Sequence, residues 1–290
     1  MKPPTTLDEQ LGLLTDRGLV WADEAQVRQF LYDNSYYRFS GYLRYYQHDP
    51  GRGNNRFRDG STFEQIQRVY LFDDELRRWL FDGVCIFEVT FRARFAYELA
   101  HGLSDPGAYL NVATYSRGKY GNEPEELVGY LKKALEDSKE PYIARFVQAE
   151  EPVPVWAAIE VCSFGTVSKM FELIKDPEIA KPVAKSLGLP FAIATGTVQS
   201  LSVLRNVCAH HGRIWNRILT VNPPIKSILK KEQDSVYHRT PWAWIVVLGD
   251  LVDRIQKDAG RSDVLFSVDL RNFLDQYPDL QSGLKDPRRT

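Results

Sequence analysis

An arginine, a carboxamide and a histidine stand within six residues at Arg205, Asn206 and His210, in the run Leu204-Arg205-Asn206-Val207-Cys208-Ala209-His210-His211. Cleavage of RNA through its own 2′-hydroxyl needs groups of these types. A base takes the hydroxyl proton, an acid protonates the leaving 5′-oxygen, and a cation holds the equatorial phosphate oxygens. Histidine, with an ordinary pKa near neutrality, suits the proton work. A guanidinium stays charged and grips phosphate with two parallel hydrogen bonds. Asn206, four residues before His210, is spaced to orient the ring or the phosphate. The reaction asks for no cofactor and no metal, and none is expected here. Cys208, His210 and His211 would spread around a helix instead of converging on one ion.

The run reads as the end of a helix. At about 100° per residue, Leu201, Leu204, Val207, Cys208 and His211 gather on a packing side, while Ser202, Arg205, Asn206 and His210 face the other way. Arg205 and His210 then lie about 140° apart, so they converge only through the length of arginine or a distorted helix end. The wheel puts His211 toward the core, and Gly212 is positioned to supply a left-handed cap. The competing reading is a plain helix whose Arg205 pairs elsewhere and whose histidines are satisfied structurally.

Other groups have chemistry to offer. Arg213, Arg217, Lys226, Lys230 and Lys231 follow the motif, and no acidic residue interrupts the stretch from Arg205 to Lys231. That local run is a candidate RNA-binding surface in a chain whose formal net charge is only -1. Arg94 and His101, with Glu98 between them, form a candidate second half-site about 10 Å long on one helix face. They read equally as an Arg94–Glu98 ion pair and a helix-capping histidine. The segment from Tyr36 to Tyr46 interleaves tyrosine with arginine, which suits stacking on single-stranded RNA or burial of one amphipathic face. Trp156, Glu160 and Phe164 read as a face packed against the motif helix, with Glu160 in a supporting role.

Helices must position all of these, because helical periodicity dominates and strand alternation is scarce. Helices are expected from Leu7 to Arg17, from an Asp23 cap to Asn34, and over a very long run from Thr62 to His101 with a break near Asp82-Gly83. Pro124 to Gln148 is helical with a break or kink at Pro141, and Trp156 to Ile174 reads as a single helix. Shorter helices follow over 175–188, 241–257 and 268–277. Gly51-Arg52-Gly53-Asn54-Asn55 reads as a loop. The expected organisation is an N-terminal helical region over 1–60, a main helical domain over 61–280 and a flexible tail over 281–290. The chain has 290 residues, 43% hydrophobic and 26% charged, which suits a globular fold. Three scattered cysteines favour a reducing compartment over a disulfide scaffold. The first residues lack a signal-peptide run and the densest apolar stretch, Trp242 to Leu248, is too short to span a bilayer, so a soluble cytoplasmic protein is expected.

Four blocks resemble the Abi-like abortive-infection proteins of the AbiD/AbiF group, within the HEPN superfamily. They are Leu14-x-x-Arg17-Gly18-Leu19 with Tyr36 to Tyr42; Phe72-Asp73-x-Glu75-Leu76-Arg77 running into Glu88-x-x-x-Arg92; Trp156 to Thr166; and Leu204 to Arg217. The resemblance implies an all-α HEPN-like helical bundle with a small N-terminal extension. It further implies a metal-independent endoribonuclease acting as a toxin-like phage-defence effector, with Glu88 and Arg92 helping to hold the motif helix. HEPN proteins commonly pair, so a homodimer sharing its acid and base across a two-fold axis is expected, restrained by a protein or small-RNA antitoxin. The alternatives are an RNA-binding or nucleotide-sensing HEPN module without catalysis, and a helical scaffold acting through a partner.

Overall fold

The computed structural model describes residues 3–118, 121–226, 229, 238–261, 263 and 265–288. Its spine is a 40-residue helix, Phe63–Gly102, about 60 Å long at 1.5 Å per residue. We number the helices α1 (Leu7–Asp16), α2 (Glu24–Asn34), α3 (Tyr36–Tyr46) and α4, the spine. There follow α5 (Pro124–Asp137), α6 (Pro141–Gln148), α7 (Val155–Val161), α8 (Phe164–Leu173), α9 (Pro177–Ser186) and α10 (Phe191–Ala209). Pro241–Asp258, Phe266–Asp275 and Ser282–Lys285 are α11, α12 and α13. The protein is mostly helical, as its periodicity requires. No single helix among the described residues is long and apolar enough to cross a membrane.

The expected loop after Tyr46 contains a small antiparallel hairpin, β1 (Gln47–Asp49) with β2 (Asn54–Phe57), joined through Gly53 in the left-handed region. Three residues of strand are too short to show alternation, so composition read only the turn.

α4 opens with a reciprocal capping box between Thr62 and Gln65. It runs without the break expected near Gly83, because tertiary packing uses that glycine. A Cβ there would lie 2.6 Å from the Phe266 ring, so the bare Cα lets α12 close on the spine. One face of α4 sends Phe87, Phe91 and Phe95 against Phe164 and Phe171 of α8. Its N-terminal half meets the 1–60 region through an edge-to-face cluster of Phe30, Phe39, Phe63 and Tyr70.

Two helical runs divide, the first at Pro141, where a break or kink was expected, and the second where one helix was expected. Pro141 begins α6 as a separate helix, since it cannot donate into a preceding turn. The run from Trp156 stops at Val161, and Ser163 caps α8 by accepting from the Thr166 N–H at 3.1 Å. The carbonyls freed at this break are taken by an arginine of the spine, described below. At the C-terminus, the stretch read as a flexible tail carries α13. There Asn216 donates its N–H to the Gly283 carbonyl, and its side chain accepts from the Arg288 N–H at 2.7 Å.

Candidate active site

α10 ends at Ala209, and its last turn closes as a Schellman motif. The Gly212 N–H donates to Val207 O at 2.7 Å and the His211 N–H to Cys208 O at 3.1 Å. The left-handed residue that this motif needs is His211, at φ 53, and not Gly212 as expected. His210 is the C-cap, already outside helical geometry at φ -96 and ψ 17. The helical wheel therefore does not extend to the histidine pair. His211 is exposed instead of core-facing, and His210 and Asn206 are exposed beside it. Arg205, Asn206 and His210 thus share one helix end.

A chain of ionic contacts sets Arg205. Its Nε donates to Glu88 Oε2 at 3.2 Å, and its Nη1 approaches Asn206 Oδ1 at 3.5 Å. The other oxygen of Glu88 accepts from Arg92 Nε at 3.0 Å, one turn along α4. Arg92 in turn donates to the Ile159 and Cys162 carbonyls, the ones freed where α7 breaks from α8. Glu88 is nearly buried, whereas the Arg205 side chain keeps 35% of its surface exposed. One carboxylate held between two guanidiniums leaves excess positive charge, and Arg205 presents it to solvent.

A second cluster fixes the turn that follows. Asp73 is fully buried and accepts from the Tyr42 hydroxyl at 2.6 Å, the Trp215 N–H at 2.6 Å and the Ile214 N–H at 3.1 Å. Arg77 lies beside it at 3.4 Å and donates to Gly212 O. Burial pushes the Asp73 carboxyl above its usual range, opposed by the bonds from Tyr42 and Trp215 and by the Arg77 charge. Arg38 of α3 donates to His211 O at 2.6 Å. A helix C-terminus ordinarily repels anions through its free carbonyls. Here the N–H groups of His210, Gly212 and His211 occupy the carbonyls of Asn206, Val207 and Cys208, and the guanidiniums of Arg38 and Arg77 take the carbonyls of His211 and Gly212 just beyond, so an anion can approach. Arg38 is the site residue that sequence reasoning did not single out. Its signal was the arginine-tyrosine alternation of 36–46, whose apolar half, Phe39, Tyr42 and Leu43, is buried while Tyr37 stays 89% exposed.

The other expected residues divide. Arg213 turns inward, donating to Trp215 O and Asn216 O near the Tyr42 ring, and burial pulls its guanidinium below its ordinary pKa. It holds the turn and is not displayed for a ligand. Lys226 is mostly buried in an ion pair with Asp250. Arg217 is half-buried and donates to Arg213 O, while Lys230 and Lys231 lie outside the described residues. Arg94 does not pair with Glu98; it bonds Ser186 O and Asp258 instead. His101 bonds its own Tyr97 carbonyl through Nδ1 at 2.7 Å. It sits 13 residues along α4 from Glu88, about 20 Å away, so no internal second half-site forms beside Arg205. Trp156 and Glu160 face solvent and do not pack on α10 as expected.

A family model described as Abi-like protein matches residues 29–216, well over half of the chain. The matched span starts in α2 and ends at the Trp215-Asn216 turn, so it encloses the clusters around Arg205 and Asp73. No curated protein and no solved structure matches.

Proposed function

The chain belongs to the Abi-like protein family, whose name points to abortive-infection defence, and on that premise we propose that it is an RNA-cleaving effector of HEPN type. The single observation that supports this reading is the α10 end. There Glu88 holds Arg205 with part of its surface open, and Asn206 and His210 stand exposed beside it. Arg205 clamps the equatorial oxygens of the scissile phosphate, and His210 moves a proton to or from the reacting oxygens. Asn206, at the edge of the guanidinium, orients phosphate or ring. The 2′-hydroxyl is the nucleophile, so the products carry 2′,3′-cyclic phosphate and 5′-hydroxyl ends, and no metal takes part.

One His210 supplies one proton-transfer group, whereas the reaction uses an acid and a base on opposite sides of phosphorus. A second copy of the chain, related by a two-fold axis near the α10 ends, supplies the other. RNA is the substrate, Arg38 and Arg217 steady the strand, and a protein or small-RNA antitoxin restrains the enzyme in the uninfected cell.

Controlled expression in a bacterial host tests the reading. Wild type arrests growth and fragments cellular RNA, while His210→Ala, accumulated to the same level, does neither. Equal arrest and fragmentation by both proteins would remove His210 from the chemistry. Growth arrest with intact RNA would favour a scaffold or a binding module.

A further inference from the structure

α4 carries a second feature beyond the Glu88 that holds Arg205. Between α4 and α7 lies an open cleft of about 510 Å3. Its floor is Ala93, Ala96 and Ala100, residues with nothing beyond Cβ. Aromatic rings rise on both sides, Trp156 at 50% exposure and Tyr97 at 61%. The His101 ring lies against Tyr97 at 4.1 Å between centroids. Its Nδ1 faces a carbonyl, which only accepts, so Nδ1 carries the hydrogen and Nε2 is left for another partner. Glu160 lines the cleft one helical turn after Trp156, and among the described residues its carboxylate has neither a hydrogen bond nor an ion pair.

Alanines flanked by an exposed ring on each helix leave an open apolar cleft on which a planar ring can stack. Stacking between aromatic side chains with hydrogen bonds to the base edge is the way proteins read unpaired RNA bases. The free carboxylate selects among them. Guanine presents two adjacent donors, N1–H and the N2 amino group, to two carboxylate oxygens. Uracil presents one donor between two carbonyls, which a carboxylate repels. The cleft is also tied to the α10 end. Arg92 bonds the carbonyls of Ile159 and Cys162, which bracket Glu160 in sequence, and shares Glu88 with Arg205. Glu88 lies five residues from Ala93 and 13 from His101, so the cleft is about 8 to 20 Å along the helix and about 140° around it, and a base a few nucleotides down the strand reaches it while a phosphate sits at Arg205.

We propose that the cleft formed by Trp156, Tyr97, His101 and Glu160 binds a guanine base of the RNA substrate and sets where the strand is cut. This rests on the nuclease reading above and adds base selection to it. The test measures fluorescence anisotropy of two 5′-labelled RNA decamers, all-uridine and uridine with one central guanosine. Full-length His210→Ala protein is used so that bound RNA persists, and wild-type cleavage of both decamers is mapped in parallel. The single-guanosine decamer binds about tenfold more tightly, and wild type cuts it at a fixed position relative to the guanosine. Trp156→Ala in the same background lowers affinity for it about tenfold. Glu160→Gln, which removes one acceptor, brings the ratio between the two decamers toward one. Both positions are on the surface, and unchanged circular dichroism and melting confirm that the variants fold.

Equal binding and unpositioned cleavage of the two decamers by wild type would overturn the guanine subsite while leaving the nuclease. Absence of both binding and cleavage would overturn the two together. A Trp156→Ala protein with unchanged RNA affinity but an altered sedimentation coefficient would show the cleft to be a protein-docking face, and that too would overturn the proposal.

Discussion

His211 is where the sequence misleads at the smallest scale. Helical spacing assigns it to the core, but spacing holds only while the helix lasts, and α10 ends two residues earlier. Its left-handed backbone costs a residue with a Cβ on the order of 1–2 kcal/mol. The Schellman bonds at Val207 and Cys208 hold it there regardless. His211→Gly relieves that strain and loses part of the gain to a freer unfolded chain. The melting temperature rises by about 2–4 °C, and RNA cleavage persists because the reaction is assigned to His210. Scanning calorimetry and a cleavage assay on one preparation check both; loss of cleavage at unchanged or higher stability would move the proton-transfer role to His211. Type and spacing, with the resemblance, named Arg205, Asn206 and His210 as candidates, and the structure brings them to one helix end. The inward turns of Arg213 and Lys226 were not legible, since a run of cations reads the same whether its members face water or the partners 24 residues on that Lys226 finds in Asp250.

Among the elements, α4 does most of the positioning. Most of its contacts to the site join residues far apart in sequence, which local patterns cannot reveal. Asp73 meets Ile214 and Trp215 across more than 140 residues, Arg77 meets Gly212, and Glu88 meets Arg205. Periodicity located α4 within a residue or two but placed a break at Gly83, because the Phe266 ring that occupies the glycine's open side arrives from another helix. It also fused α7 with α8, whose separation depends on Arg92 taking the exposed carbonyls. The Asp73 cluster carries a measurable consequence. Asp73→Ala leaves two backbone N–H groups, the Tyr42 hydroxyl and much of the Arg77 charge buried without their partner. The variant loses about 3–5 kcal/mol of folding free energy by urea denaturation. A loss below about 1 kcal/mol would mean that the cluster does not hold the turn.

For the whole molecule, burial of thiols sets an alkaline limit. Desolvation pushes Cys162 up to about 11 and Cys208 up to about 12, from an ordinary value of 9.0. Between pH 9 and 11 the unfolded chain sheds these protons and the folded chain keeps them. The unfolded state therefore binds fewer protons, and stability falls as pH rises. The urea midpoint stays level up to about pH 8 and declines above pH 9, and a Cys162→Ala, Cys208→Ala double variant declines less steeply. Parallel slopes for the two proteins would remove the thiols as the cause. At this scale the fold class was legible from periodicity. The joining of all four sequence blocks around the α10 end was not, since it depends on packing against a common spine. The central claim remains the chemistry at that end. Its most direct measurement incubates purified protein with single-stranded RNA in excess EDTA and identifies the new termini. Wild type yields 2′,3′-cyclic phosphate and 5′-hydroxyl ends, and folded Arg205→Ala and His210→Ala yield none. Cleavage that vanishes in EDTA and returns with magnesium, or that both variants retain, would contradict the account.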